Sequence, residues 1–191
     1  MIGIIDYSLG NIQNVKNALD KLDYPSLFSS DYVVLKECDT ILLPGVGHFG
    51  HAMTHIETSG LKPTLLKLAE NKPLIGICLG MQLLFEHSTE GNANGLGLLP
   101  GDIVRMETEH PVPHLGWNTL SSPNQVLDGK DVYFIHSYIA TRTDTVIATS
   151  EYGIDIPAVV KKGHIIGIQF HPEKSGRTGL EILKQAIEGG I

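Results

Sequence analysis

Cys78 sits in Gly76-Ile77-Cys78-Leu79-Gly80, a spacing suited to nucleophilic chemistry at sulfur. The flanking glycines permit a tight strand-to-helix turn, the side chain at its apex is pushed outward, and the helix that follows aims free N–H groups at the same spot. A helix N-terminus favours the thiolate. The backbone N–H of Leu79 falls where an oxyanion would form. A buried structural cysteine at a strand end is the plain alternative. A thiolate nucleophile needs a partner that takes and returns a proton, and histidine does both near neutral pH. Of nine histidines, His171 is the best placed, because it follows the apolar run 165–170 on the side where open parallel sheets assemble their sites. Pro172 biases His171 toward an extended conformation, so that Glu173 projects to the same side. Glu173 then reaches the ring, fixes its tautomer and stabilises the imidazolium, as the third member of a triad does. Alone, His-x-Glu also describes a solvated turn; with Cys78 in view it describes a catalytic pair.

Other residues invite chemistry less strongly. Gly45-Val46-Gly47-His48-Phe49-Gly50 matches the dinucleotide fingerprint after a strand, but the acidic residue expected about 20 positions on would be Glu70, which lies on a helical stripe. A better use of this loop is a wall of exposed N–H groups near Val46 and Gly47, or simply a tight turn. His48, His51 and His55 share one helical face, yet no acidic fourth ligand has a clear motif, so no metal site is assigned. Cys38, between Glu37 and Asp39, has its thiolate disfavoured and reads as structural. Trp117, the only tryptophan, is expected in the core, with an exposed interface aromatic as the alternative.

These residues need a scaffold, and the first half of the chain supplies one by alternating short apolar strands with helical patterns. Residues 2–5 read as a strand, Gly10-Asn11 as a turn and helix cap, and Ile12, Val15, Leu19 and Leu22 as one helical face. Residues 40–44 and 73–77 are buried strands, and Leu61, Leu65, Leu68 and Ala69 form another apolar stripe. The run 79–86 reads as a buried helix. Residues 91–101 are loop-like. Segments 132–135, 145–148, 158–160 and 165–170 are β-branched or aromatic runs separated by short polar turns, which predicts hairpins joined to the main sheet. A last helix carries Leu180, Leu183 and Ile187. The prediction is one α/β domain spanning 1–191: a mostly parallel open sheet flanked by helices, with antiparallel strands added in the C-terminal third.

Composition narrows the function. The 191 residues suit one domain and one active site. With 21 acidic against 14 basic residues the formal charge is -7, and the longest basic run is Lys161-Lys162, so a phosphate-tracking surface is not expected and nucleic acid is excluded as a partner. No apolar run approaches the ~18 residues of a membrane span, and no basic segment opens the chain, which predicts a cytoplasmic protein. Two cysteines 40 positions apart do not make a disulfide framework.

Taken in order, Pro44-Gly45-Val46-Gly47, residues 76–82, Pro113 to Asn118, His136-Ser137-Tyr138 and His171-Pro172-Glu173-Lys174-Ser175 resemble the class I glutamine amidotransferases, which have a flavodoxin-like core. The extensions Gly116-Trp117-Asn118 and Glu173-Lys174-Ser175 are similar to those of the glutaminase subunits of imidazole glycerol phosphate synthase, and the likeness runs from Asp6-Tyr7 to the last helix. The resemblance implies a triad of Cys78, His171 and Glu173, oxyanion donors at Leu79 and in the Val46-Gly47 loop, and a glutamine site formed by Gly47, Gln82 and the backbone around Ser137 and Tyr138. It implies no metal and no cofactor. It further implies that ammonia passes to a separate (β/α)8-barrel cyclase subunit in a heterodimer of histidine biosynthesis, with Asn14, Trp117 and Lys174 as contacts, and that the glutaminase is sluggish until the partner holds its nucleotide ligand. Ser8 replaces a frequent glycine and Leu115 a frequent Met or Ile. Another amidotransferase partnership, a free-standing glutaminase and an inactive regulatory subunit are the competing readings.

Overall fold

The structure is a computed structural model that describes residues 1–7 and 12–191. The Gly10-Asn11 turn and Ser8 lie outside the described residues. Strand β1 (Ile2–Ile5), helix α1 (Ile12–Lys21), β2 (Ser26–Ser29), a turn of helix α2 (Tyr32–Leu35) and β3 (Thr40–Gly45) open the chain. Helices α3 (Phe49–Thr58) and α4 (Leu61–Ala69) then lead to β4 (Leu74–Cys78) and the single turn α5 (Leu79–Gln82). The central strands are continuous apolar runs because both faces are covered, and every residue of β1, β3 and β4 is buried. Asp31 caps α2 by accepting from Val33 N at 2.8 Å.

The middle of the chain makes β5 (His87–Ser88), β6 (Ala93–Asn94), β7 (Asp102–Arg105), β8 (His114–Ser121), β9 (Asp131–His136) and β10 (Tyr138–Ala140). It is followed by β11 (Val146–Glu151), β12 (Asp155–Lys162), β13 (Ile165–Ile168), a 3-10 turn over Pro172–Lys174, and α6 (Gly176–Glu188), which ends on Gly189 at φ 79°. Nine strands form one sheet in the order β2-β1-β3-β4-β13-β12-β11-β8-β9, and a smaller sheet has the order β10-β7-β5-β6. Pairing is parallel from β2 through β13 and antiparallel from there to β9, so the hairpins join the main sheet as expected and make it mixed. One face is covered by α3, α4 and the small sheet through Phe49, Ile56, Leu65 and Ile103; the other is covered by α1 and α6 through Val15, Leu19, Ile182 and Leu183. Each such side chain, fully buried, contributes roughly 1.5–3 kcal/mol.

Two expectations are corrected. The helix predicted over 79–86 stops at Gln82: Leu84 N and Phe85 N turn to the carbonyls three residues back, Met81 O and Gln82 O, Glu86 N pairs with Gly101 O instead of Gln82 O, and the carbonyls of 83–85 accept from the returning segment 96–99. Leu96 N donates to Leu83 O, Leu98 N and Leu99 N to Leu84 O, and Gly97 N to Phe85 O. Trp117 is not in the core but 56% exposed. It lies on β8, where His114 and Leu120 face inward while Leu115, Trp117, Thr119 and Ser121 face outward on the period of a half-covered strand.

Candidate active site

The register of the parallel strands gathers the reactive groups at one edge. Gly45 at the end of β3 pairs with Cys78 at the end of β4, and Ile77 pairs with Ile168, three residues before His171. Cys78 holds φ 54° and ψ −112°, a conformation that L residues rarely adopt and that a sharp elbow requires. The turn is that tight because Gly80 lies against the carbonyl of Leu43, which a Cβ there would approach to 1.7 Å. Cys78 is 7% exposed; its Sγ is 3.9 Å from Ile135 O and receives Gln169 Nε2 at 4.0 Å.

His171 Nδ1 lies 2.7 Å from Glu173 Oε1, both side chains being buried. The other ring nitrogen, Nε2, is buried and has no hydrogen-bond partner among the described residues, and Cys78 lines the same cleft as the ring. Burial pulls the imidazole toward the neutral form, but the hydrogen bonds and charges of Cys78 and Glu173 outweigh it and raise its pKa to about 9. Because the folded value lies above that of a free histidine, these contacts stabilise the fold fully below about pH 6.5. That contribution is lost as pH rises through about 9.

Above the elbow is a cleft of about 280 Å³. The sequence-predicted residues Val46, Gly47, Cys78, Leu79, Gln82, Ser137, Tyr138, His171 and Lys174 all line it, and Glu173 backs His171 from behind. A model of the family described as "Glutamine amidotransferase class-I" matches residues 3–188. The chain belongs to the class-I glutamine amidotransferase family. Among its amidotransferase relatives, "Imidazole glycerol phosphate synthase subunit HisH" of Staphylococcus aureus strain Mu50 is 55% identical over 191 residues, covering 100% of this chain and 98% of that one. The protein of the same name from Staphylococcus epidermidis is 53% identical over the same shares. A crystal structure of a glutamine amidotransferase superposes with a TM-score of 0.79 at 21% identity over 98% of each chain. The structure of PurLQS from Thermotoga maritima gives 0.76 at 18%, covering 98% of this chain and 97% of that one. At those identities the likeness speaks to the fold.

Inside the amidotransferase cleft, Gln82 spends its Nε2 within the protein, donating to Tyr138 O and to Gln169 Oε1 at 3.0 Å each, so only its Oε1 is left for a ligand. Glu90, Pro113, Ile135 and His136 also line the cleft; Pro113 and His136 stand in the motif segments without a site role assigned from sequence, and Glu90 and Ile135 stand in none. Glu90 Oε2 accepts from Phe49 N at 2.7 Å and so holds the start of α3, a contact across 41 residues that no motif announces. Asn14 lies apart, in a crevice between α1 and α6 that it shares with Glu173 and Arg177. His48 caps α3 by accepting from His51 N at 3.4 Å, and its ring packs tilted against that of His51. Among the described residues no group of three metal-ligating side chains converges. Cys38 is buried, and burial more than Glu37 and Asp39 holds its thiol above the usual range, since Asp39 turns to the N-terminal amine at 2.6 Å.

Proposed function

We propose that the chain hydrolyses glutamine to glutamate and ammonia through a thioester on Cys78 and delivers the ammonia to a cyclase partner that makes imidazole glycerol phosphate. The observation that carries the reading is that Cys78 and His171 line one cleft of metabolite size, with the buried Glu173 carboxylate bonded to the imidazole from behind. The Cys78 sulfur attacks the side-chain amide carbon of glutamine, the C–N bond breaks, and His171 gives its proton to the departing nitrogen. Water then attacks the thioester, returning a proton to His171, and the C–S bond breaks to release glutamate. Leu79 N–H and the Val46-Gly47 loop are the oxyanion donors in this reading. Glu173 keeps the ring oriented and charged.

The partner is inferred from the names of the relatives and from a bare apolar patch. Leu115 (57% exposed) and Trp117 on β8 stand beside Ile135 on β9, and Ile135 also lines the cleft, so a chain seated on this patch would close over the cleft mouth. Lys174 at the cleft rim borders this patch, and Asn14, in the separate crevice between α1 and α6, is a second contact in this reading. Trp117→Ala is expected to weaken association with the cyclase about 30-fold, the size of one aromatic hot spot, with the circular dichroism of the chain unchanged. Unaltered affinity in a titration of the two subunits would move the interface elsewhere.

The reading is tested by measuring glutamate release from the chain alone and from the chain with the cyclase and its nucleotide ligand. Strong activation by the mixture supports both the reaction and the partner. Robust hydrolysis indifferent to the cyclase keeps the chemistry and reassigns the pathway, and silence under both conditions favours the regulatory subunit. Glu173→Gln keeps an acceptor for His171 Nδ1 but removes the charge that helps hold the imidazolium, so its loss of rate should be smaller than that of His171→Ala. Its alkaline limb should move down from the wild-type position set by a pKa of about 9. Equal losses, or an unmoved limb, would count against Glu173 as the orienting member.

A further inference from the structure

From one wall of the cleft runs a chain of hydrogen-bonding groups, buried at its two histidines and exposed at its far end, that the thiol chemistry does not use. It starts at the carbonyl of Glu151, which accepts from Asn118 Nδ2 at 2.9 Å. Asn118 Oδ1 lies 2.9 Å from His114 Nε2, His114 Nδ1 lies 3.1 Å from His136 Nε2, and His136 Nδ1 lies 3.0 Å from the carbonyl oxygen of Tyr138. His114 is 0% exposed and His136 6%. The pairing of β8 with β9 puts them opposite each other.

Both ends of this chain are carbonyl oxygens, which only accept. Asn118 must turn its amide N–H to Glu151, so its oxygen faces His114 and demands a proton on His114 Nε2. Tyr138 O likewise demands a proton on His136 Nδ1. Two neutral imidazoles carry two ring protons, and both are now assigned. The facing nitrogens, His114 Nδ1 and His136 Nε2, are left as two lone pairs 3.1 Å apart. A third proton between them turns that contact into a charge-assisted hydrogen bond and completes the chain.

We propose that His114 and His136 form a buried proton-binding pair, taking up one proton beyond those of two neutral rings, and that the loaded pair positions the Ser137-Tyr138 backbone in the glutamine cleft. The second half rests on the proposed glutaminase reading for the identity of the ligand. Tyr138 O is the carbonyl that also accepts from Gln82 Nε2, so it ties the β9–β10 corner to the elbow turn. With the third proton gone, two lone pairs repel and one contact of the chain opens.

The surroundings make the proton easy to lose. His114 is stacked between Phe134 at 4.7 Å and Tyr152 at 4.0 Å. The Tyr152 hydroxyl turns to Pro111 O, His110 packs on the far ring, and the Glu151 carboxylate accepts from Gly153 N instead. His136 faces Gln82 through the shared carbonyl, and the charge of His171, next to Cys78, opposes its protonation. Among the described residues no carboxylate bonds either ring, and burial lowers the proton affinity of both. The pair therefore titrates as one coupled unit on the acid side of neutrality, and the cleft loosens as pH rises through that step.

The test follows histidine 15N resonances of the full chain from pH 3 to 8.5, assigned with His114→Gln and His136→Gln. The two rings are expected to move together in one step. Asn118→Leu is the decisive variant, since it removes the demand at His114 Nε2 and lets two neutral rings complete the remaining bonds; the step should disappear. Asn118→Asp should move it to higher pH. Glutamine affinity is read by calorimetry in a Cys78→Ala background, so that nothing turns over. Its Kd should rise about tenfold through the step, the size of one charge-assisted hydrogen bond, and should be flat with Asn118→Leu. Rings that titrate independently, rings that stay neutral throughout, or a Kd profile unmoved by Asn118→Leu overturn the proposal. No glutamine binding at any pH beside an intact shared step would instead overturn the glutaminase reading and leave the proton pair supported.

Discussion

Cys78→Ala is expected to lower glutamine hydrolysis by at least about 10⁴-fold, the scale on which removal of a nucleophile acts when the rest of the site is intact. The loss should fall on kcat with glutamine still bound, because the cleft walls at Gln82, Ser137 and Tyr138 do not depend on the sulfur. Steady-state glutamate release and a glutamine binding isotherm on the same preparation separate the two effects. Retention of more than a hundredth of the wild-type rate would exclude a thioester on Cys78. A second consequence concerns stability. Cys78 is held at φ 54°, and alanine keeps the Cβ that makes this conformation costly, whereas glycine relieves it. Cys78→Gly should therefore unfold at higher urea than Cys78→Ala, by about 1 kcal/mol, although both are inactive. Equal stabilities would mean that the elbow is not strained.

The parts of the molecule that could be read ahead of the structure are those in which one physical demand acts alone. β1, β3 and β4 are covered on both faces, so they are uninterrupted apolar runs; the elbow needs glycine at 76 and 80, so its spacing is visible. Where two demands compete, the pattern fades. The helix expected to continue through Glu86 has the composition of one, but Glu86 N is claimed by Gly101 O and the carbonyls of 83–85 by residues 96–99, a choice made by tertiary structure. β8 carries glycine, tryptophan and polar residues because only one of its faces is covered, and its bare face bears Leu115 and Trp117. β5 and β6 are two residues each, too short to show any period. Of the site, Cys78, His171 and Glu173 could be found because their chemistry restricts the residue types and their spacing. Glu90 could not, since it reaches the cleft from a turn, and His136, though part of the His136-Ser137-Tyr138 motif, shows its pairing with His114 only once strand pairing sets the register.

Gly80→Ala is expected to be the most damaging substitution to the fold. A Cβ at Gly80 would stand 1.7 Å from the oxygen and 2.8 Å from the carbon of the Leu43 carbonyl, both backbone atoms of a fully buried strand. No rotamer change relieves such a clash. Either α5 lifts away from β3 or β3 shifts against β4, and the second breaks the register that sets Gly45 beside Cys78. The expected cost is at least about 4 kcal/mol, in the range reserved for steric failure in a core. Whatever protein folds should have lost hydrolysis as well, because Leu79 and the Val46-Gly47 loop face the cleft from the two segments being forced apart. Gly163→Ala is the control. Gly163 has φ 60° and nothing within 4 Å of a Cβ, so it reports left-handed strain without a clash and should cost about 1 kcal/mol. Urea denaturation of the two variants side by side checks the difference. Similar losses would show that the elbow can retreat from β3, and then the close approach of Gly80 would not be what holds Cys78 at the apex.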